Sequence, residues 1–384
     1  MHHISRVLGS ILRHDAKLNT AKLALLRSLN DVVLAYAGIE LHGKGVVVPL
    51  RILAEFWVAY YWAFMDEERP IFQGPRARRS GKVWNDFAFR EELTALKQYW
   101  LTTPFGSRRP SDGFVVVAEM KASRATEIYP SDFISLYRRV IKRIVGVIKY
   151  PIQYAGPSNQ YYSVFSRPAS ASTWTNAVWL PTTVPVEQCL LLSNELWQGF
   201  KDLSLWIEAL CIHEWSLFTE RIRDERGASV SRGEVYTLLT ERPDNRRPLT
   251  WERNQIDILL MEGRQFSCPW TGKRLKIGSY DLDHIIPVSI YPINELWNLV
   301  PADPYFNSHR KRARLPNTKM LERARPAFSS TYVNYRNSQV LSRVFNQDTF
   351  LRSGLDQNTE EDVIALAVTN IVAAVADSRN VAQF

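Results

Sequence analysis

Apolar residues recur at helical spacing through much of the first 150 positions, with polar residues on the remaining face. This pattern predicts a helix over 16–37 and a basic amphipathic helix over 130–150. The most apolar stretch, 46–65, contains charged residues, so we expect a buried helix that starts near Pro49 and not a membrane span. The run FVVVAEM at 114–120 is rich in β-branched residues and predicts a buried strand.

The middle of the chain contains two segments with different residue patterns. Residues 151–186 are rich in Ser, Thr, Pro and aromatic residues, which predicts a small sheet or irregular β elements. Residues 187–223 carry one long helical pattern, in which Trp197, Trp206 and Trp215 are expected to face the core.

Composition turns to charge, Gly and Pro over 224–250, where we expect a domain boundary. After about 327 the chain is polar and irregular, until the pattern at 358–378 predicts a closing helix. The expected fold class is therefore α+β and mostly helical, with small β elements. We predict three parts: a helix-rich region at 1–245, a small α/β module at 246–326 and a helical extension at 327–384.

The net charge and the cysteine content limit the kinds of binding partner and the cellular compartment that are expected for the chain. The chain of 384 residues has a net charge of +9, which favours encounter with a polyanion. The basic face of 130–150 fits either solvent or contact with a DNA backbone, a membrane or a partner, and the basic segment 74–82 is expected to be a solvated loop. Three scattered cysteines and the lack of a signal peptide predict a reducing cytoplasm.

The stretch at 281–315, DLDHIIPVSIYPINELWNLVPADPYFNSHRKRARL, gathers polar side chains between apolar runs. It predicts a strand ending at Pro287, a loop, a second short strand, and a helix with Asp303 as its cap and Pro304 at its first position. The last part of the stretch is basic. The expected order is therefore strand, loop, strand and helix.

These residue types suit the hydrolysis of a phosphodiester. Asp283 on the strand and Asn307 on the facing helix would offer two hard oxygen ligands to Mg²⁺, which keeps several waters. His284 titrates near neutral pH and can take a proton from water. Lys311 shares the face of Asn307, whereas His309 lies about 200° around the helix, so both cannot face the strands.

At these positions the chain resembles the HNH, or ββα-metal, nuclease family. The family pattern is met by Asp283, His284, Ile286, Pro287, Asn298 and Asn307. With the preceding CPWTGKRL, the spacing is most similar to the HNH domains of RNA-guided CRISPR effector nucleases. The resemblance implies that His284 is the general base, that Asp283 and Asn307 hold the metal, and that Asn298 braces the hairpin. Many members have His at the third position, so His309 is the competing ligand.

Two further expectations concern zinc and nucleic acid. Many HNH domains carry two CxxC pairs, but the corresponding positions here leave only Cys268, so no structural zinc is expected. Residues 264–326 contain eleven Lys or Arg against five acids, which is +6 of the net charge of the chain. The residues expected to contact nucleic acid are Lys273, Arg274, Arg310, Lys311, Arg312 and Arg314.

The leading functional hypothesis is a DNA endonuclease that uses Mg²⁺ or Mn²⁺ and belongs to a prokaryotic defence or restriction system. Its partners would be DNA and, through residues 1–245, other protein subunits of a defence or guide-RNA complex, with no membrane partner. Two alternatives are open. One is a nucleic-acid-binding or assembly subunit with an inactive HNH fold, and the other is an HNH nuclease that acts on RNA. The sequence of 1–245 contains no motif that assigns it a role.

Overall fold

The protein is α+β and mostly helical. The computed structural model describes residues 2–75, 77–79, 82–84, 86–122, 125–156, 160–224, 227–241, 249–290 and 294–384, with the backbone alone at 2, 77–79 and 82–84. The chain forms two compact units. One comprises Met1–Leu34 with Glu40–Glu241, and the other comprises Ala35–Ile39 with Arg242–Phe384. Among the described residues, no helix combines the length and the apolar character that a membrane span requires.

Helices make up most of the first unit. They are α1 (His2–Arg13), α2 (Ala21–Ala35), α3 (Leu50–Tyr61), α4 (Arg90–Leu101), α5 (Asp112–Lys121), α6 (Ala125–Ile128), α7 (Ser131–Tyr154), α8 (Asn194–Asp202), α9 (Ser204–Glu220) and α10 (Arg232–Thr240). The predicted helix at 16–37 is confirmed as α2, whose first turn is capped by Asn19, since Oδ1 accepts from the backbone N–H of Ala21 at 3.0 Å. The helix expected from Pro49 is confirmed as α3.

A small sheet lies beside these helices. Its strands are β1 (Val46–Pro49), β4 (Ala169–Ser170), β5 (Val178–Trp179) and β6 (Gln188–Leu192), in the order β4-β6-β1-β5. Strand β1 pairs antiparallel with β6 and parallel with β5. The β elements predicted for 151–186 are confirmed as β4 and β5. A separate hairpin of β2 (Ala77–Arg79) and β3 (Lys82–Trp84) overlaps the segment 74–82, so the loop predicted there is wrong. Residues 76, 80 and 81 of this segment lie outside the described residues.

The strand predicted at 114–120 is wrong, because this segment lies in helix α5. Helix α5 approaches α3 at Gly113, where an added Cβ would lie 2.9 Å from the Cα of Ala59 on α3 and 2.6 Å from the Cβ of Trp62 just after it. The buried carboxylate of Asp112 accepts a hydrogen bond from Trp100 Nε1 at 2.8 Å and holds the first turn in place. Packing against α3 thus overrides the strand preference of the valines.

The single helix predicted over 187–223 is also wrong. The segment forms strand β6 and then helices α8 and α9. Ser193 begins α8 by accepting a hydrogen bond from the N–H of Leu196 at 3.3 Å, which separates the helix from the strand. Trp197 and Trp215 are buried as expected, whereas Trp206 is 67% exposed.

The second unit contains the stretch that resembles HNH nucleases. Its elements are α11 (Thr250–Met261), β7 (Asp281–His284), β8 (Leu299–Ala302), a π-helical turn (Phe306–Lys311), α12 (Thr318–Arg336), α13 (Leu341–Ser353) and α14 (Glu361–Arg379). The closing helix predicted at 358–378 is confirmed as α14. The irregular chain predicted after 327 is wrong, because α12 and α13 occupy most of 327–357.

Helices α12 and α13 hold the hairpin of β7 and β8 from behind. The hydroxyls of Tyr332 and Tyr335 on α12 donate to the backbone carbonyls of Trp297 and Leu299 at 2.7 and 2.9 Å. Asp348 on α13 accepts from the backbone N–H of Leu296 at 2.8 Å.

Helix α12 also runs across the boundary expected at 326/327. The functional division into 1–245, 246–326 and 327–384 stays a prediction, and part of the expected boundary segment, residues 225–226 and 242–248, lies outside the described residues.

Candidate active site

Strands β7 and β8 form a short antiparallel hairpin that carries the polar side chains. Asp283 pairs with Val300 and His284 pairs with Leu299. Asn298, which is fully buried, precedes β8 and braces the hairpin: its Oδ1 accepts from the N–H of Ile286 at 2.8 Å, and its Nδ2 donates to the carbonyl of the same residue at 3.1 Å. These two bonds hold the backbone that follows His284, in the position that the resemblance implies for a bracing residue.

His284 ends strand β7 with its side chain almost wholly buried. Its Nε2 lies 2.7 Å from Oδ1 of Asn294. An amide oxygen only accepts, so Nε2 donates to it, and in the neutral imidazole the basic atom is then Nδ1.

Asn294 is the functional candidate that the sequence reasoning missed. It lies in the loop four positions before Asn298, and residues 291–293 just before it lie outside the described residues. In the sequence it stands between Ile293 and Glu295, and nothing there distinguishes it from an ordinary turn residue. Only the fold brings it to the imidazole of His284.

Asp283 lies on the same strand, with both carboxylate oxygens engaged. Oδ2 accepts from Trp270 Nε1 at 3.0 Å, and Oδ1 accepts from Lys311 Nζ at 2.9 Å. Burial raises the pKa of Asp283 above its ordinary value, while the Lys311 ammonium and the Trp270 indole oppose the rise. The carboxylate is thus held by one cation and one neutral donor inside the unit.

Lys311 is turned inward in this structure, and the phosphate contact expected of it stays a prediction. Its side chain is 1% exposed, and its ammonium also donates to the backbone carbonyl of His284 at 2.7 Å. The turn that carries it is π-helical and not α-helical, with a bond of 2.9 Å from the N–H of Arg312 to the carbonyl of Asn307. Arg312 ends this turn at φ 51°, a conformation rarely adopted by a residue with a side chain.

The two alternative third-position residues face different ways. Asn307 is half-buried, and its Nδ2 donates to Asp281 Oδ2 at 3.3 Å. His309 is exposed, and its ring stacks on Tyr305 with the centroids 4.5 Å apart. Nδ1 of His309 lies 3.2 Å from the carbonyl of Tyr305. Asn307 therefore turns toward the β7 strand and His309 turns toward solvent.

The predicted metal ligands do not form a ready metal site in this arrangement. Asp283 already holds the ammonium of Lys311 on Oδ1 and the indole of Trp270 on Oδ2. Within the part of the chain that the structure describes, no group of three or more His, Cys, Asp or Glu side chains is placed to hold a metal ion. A divalent cation at Oδ1 of Asp283 would compete with the ammonium of Lys311 for that oxygen.

The other predicted nucleic-acid contacts differ in how available they are. Arg274, Arg310 and Arg312 are exposed, and Arg314 is half-buried against Phe384, with its guanidinium 5.9 Å from the ring centroid. Lys273 is exposed but paired with Asp303, since Nζ and Oδ2 are 2.9 Å apart. Asp303 also caps the turn as predicted, accepting from the N–H of Phe306 at 3.0 Å.

A hairpin with Asp283 and His284 on its first strand, a buried Asn before its second and a short helical turn behind them defines an HNH-type nuclease module. In agreement with this class, residues 268–317 match the family model described as HNH endonuclease. The chain belongs to the family described as a domain of unknown function (DUF8808), whose model matches residues 2–239. The region without a recognised motif thus has a family but no assigned role. No curated protein and no solved structure matches the chain.

Proposed function

We propose that the protein is an HNH endonuclease that hydrolyses DNA phosphodiester bonds with His284 as general base. One observation carries the proposal: the HNH endonuclease match over 268–317 covers a histidine whose Nε2 is tied to Asn294 at 2.7 Å, which leaves Nδ1 as the basic atom. The match to the family supports nuclease activity, and the geometry supports the role of the residue.

The chemistry follows from what the side chains can do. Nδ1 of His284 takes a proton from water as the water oxygen attacks phosphorus. The bond between phosphorus and the leaving oxygen then breaks, and that oxygen ends as a hydroxyl after taking a proton. Asn294 stabilises the imidazolium in its orientation, because Nε2–H keeps its acceptor throughout. Asn298 keeps the strand end still by holding the backbone of Ile286.

We retain a divalent metal, Mg²⁺ or Mn²⁺, as part of the proposal, because HNH nucleases generally use divalent metal ions. No step is routed through it, since Asp283 is engaged by Lys311 and Trp270. The cations that remain exposed, Arg274, Arg310 and Arg312, are the proposed contacts to backbone phosphates. One module has one active site, so a single copy nicks one strand.

The experiment is a plasmid-nicking assay with the full chain in Mg²⁺, Mn²⁺ or EDTA. Wild type is expected to relax supercoiled DNA in at least one metal, and His284→Ala is expected to leave it intact. His309→Ala is the matched control: it removes an exposed histidine of the same module and should cut like wild type. Equal cutting by wild type and His284→Ala, or loss of activity only in His309→Ala, would refute the assignment.

A second arm separates the alternatives. Labelled RNA and DNA strands of one sequence are incubated in parallel with wild type and His284→Ala. Cleavage of RNA alone, lost in the variant, identifies a ribonuclease. Binding of DNA without cleavage in any metal identifies a binding or assembly subunit with an inactive module. A role in prokaryotic defence, alone or with a guide-RNA complex, is part of the same proposal, and co-purification of the native protein with its partners tests it.

A further inference from the structure

Helix α7 in the first unit carries a basic outer face. Between Ser131 and Tyr154 it has five basic residues, Arg138, Arg139, Lys142, Arg143 and Lys149, against one acid, Asp132. All five are exposed. Arg143 is paired with Glu92 at 2.8 Å, whereas the other four form no ion pair with any described residue. Most of the positive charge on this face is therefore not neutralised by the residues that the structure describes.

The basic residues of α7 are followed, further along the same helix, by a group of tyrosines. Arg138, Lys142, Gly146, Tyr150 and Tyr154 follow one another at intervals of four, so they form one row on the helix surface. Gly146 leaves open space beside this row, with nothing within 4 Å of where a Cβ would be. From the first to the last residue of the row, the helix rises about 24 Å.

Three tyrosine rings meet at the end of the row. The rings of Tyr150 and Tyr154 have centroids 4.5 Å apart, and those of Tyr154 and Tyr161 are 5.1 Å apart and nearly perpendicular. Tyr150 is 46% and Tyr161 62% exposed, so each presents ring surface to solvent. Exposed aromatic faces of this kind stack on unpaired bases.

The same tyrosines line a cavity of about 360 Å³ together with Lys17, Lys22 and Asp15. Asp15 does not make the cavity acidic, because one of its oxygens, Oδ2, lies 2.8 Å from Lys22 Nζ and accepts from the N–H of Gly156 at 3.0 Å. Lys17 is half-buried and donates to the backbone carbonyl of Asp15 at 3.1 Å. Glu214 also acts on Lys17 and is itself paired with Arg13 at 3.2 Å, so Arg13, Lys17 and Lys22 stand against Asp15 and Glu214. The cavity has room for a planar ring, with one cation in excess nearby for a phosphate.

We propose that this surface, the α7 row with its tyrosine cavity, binds single-stranded nucleic acid. The arginine and lysine side chains would follow the phosphates, and the tyrosines would stack on bases, the combination by which proteins hold unpaired strands. A membrane partner is disfavoured, because the apolar face of α7 is already used: Phe133, Val140 and Ile144 are fully buried inside the unit. The inference concerns binding by the first unit and does not depend on cleavage by the HNH module.

The test measures binding by the full chain with His284→Ala, so that the probe stays intact. The probe is a fluorescein-labelled single strand of about 12 nucleotides, read by fluorescence anisotropy in EDTA. Tyr150→Ala and Tyr161→Ala are each expected to weaken binding roughly 5- to 100-fold, the value of one stacked base, whereas Tyr150→Phe keeps the ring and the affinity. Arg138→Gln and Lys142→Gln should each reduce the salt slope of log K by about 0.7.

Matched controls come from the same unit. Tyr236→Ala removes an exposed tyrosine of α10, and Lys44→Gln removes an exposed cation outside the row; neither should change binding. Competitor arms use a free nucleoside monophosphate, a duplex of the same sequence and anionic phosphatidylserine vesicles. Each is expected to compete far less well than the unlabelled single strand.

Three results would overturn the proposal. The first is unchanged affinity in both tyrosine variants. The second is competition by the mononucleotide that equals competition by the strand, which would make the cavity a nucleotide site. The third is stronger competition by vesicles, which would make the basic face a membrane contact. None of these results depends on whether the protein cleaves nucleic acid, so the nuclease proposal is tested separately by the nicking assay.

Discussion

Replacing Lys311 with methionine tests whether the ammonium is the cation that Asp283 needs. Methionine keeps an unbranched apolar chain but leaves a carboxylate that is 5% exposed with only the indole of Trp270 as donor. Removing one partner of a buried ion pair costs about 3–5 kcal/mol. In a unit of about 150 residues, 1 kcal/mol shifts the melting temperature by about 2–4 °C, so the expected loss is roughly 6–20 °C.

Two comparisons isolate the cause of that loss. Lys273→Met removes the exposed cation that is paired with Asp303 and, because that lysine is in contact with water, is expected to cost less than about 1 kcal/mol. The double variant Asp283→Asn with Lys311→Met removes both charges and should recover most of the stability that Lys311→Met loses. Melting followed by circular dichroism in EDTA provides all three values.

Metal is the second arm of the same experiment. In Lys311→Met, Mn²⁺ can bind Oδ1 of Asp283 without competition from an ammonium. Binding to the folded state should raise the free energy of unfolding by about 2.7 kcal/mol at one hundred times the dissociation constant, and the melting temperature should rise with it. Wild type should respond less at the same concentration, and the double variant should not respond. If Lys311→Met melts like Lys273→Met, and Mn²⁺ acts equally on all variants, the reasoning about the buried pair is refuted.

Three further predictions follow from the same module. Asn294→Ala should lower nicking about 10- to 100-fold with an unchanged melting temperature, because His284 loses the acceptor that fixes its tautomer; wild-type activity would contradict this. Arg312→Gly should raise the free energy of unfolding by about 1 kcal/mol in urea, since glycine tolerates φ 51°, and a loss of stability would contradict the strain. Hydrogen bonds from Lys273 and from the N–H of Phe306 lower the pKa of Asp303 in the folded state below its ordinary value of 3.8. The ionised Asp303 therefore stabilises the fold above pH 3.8, and this stabilisation is lost as the pH falls through the lower pKa of the folded state. Asp303→Asn should flatten this acid dependence, and an unchanged slope would contradict it.

Local sequence signals located several elements well. Pro49 lies just before α3, and Asp303 accepts from the N–H of Phe306 at the start of the π-helical turn, so each signal lies within a few residues of the element it begins. Such signals need no knowledge of the fold, because a cap satisfies donors in its own first turn. The segments at 114–120 and 187–223 were predicted wrongly because their outcome depends on distant partners, such as the contact of Gly113 with Trp62.

In the candidate site, too, some residues could be predicted from the sequence and others could not. Asp283, His284, Asn298 and Asn307 could be selected from residue types and spacing, because a hairpin followed by a helix imposes its own register. The partners of those residues could not. Asn294 reaches His284 through a loop, and Trp270 reaches Asp283 across 13 positions.

By itself, the sequence determined a mostly helical α+β protein, a basic chain, and an ordered set of polar residues typical of an HNH module. These depend on periodicity, composition and spacing, which a linear chain already contains. Only the tertiary structure showed that Lys311 is a buried partner of Asp283, and that three tyrosine rings meet at the end of the basic row of α7. Burial and through-space pairing depend on which residues the fold brings together, and the energy of a charge changes most when water is removed from around it.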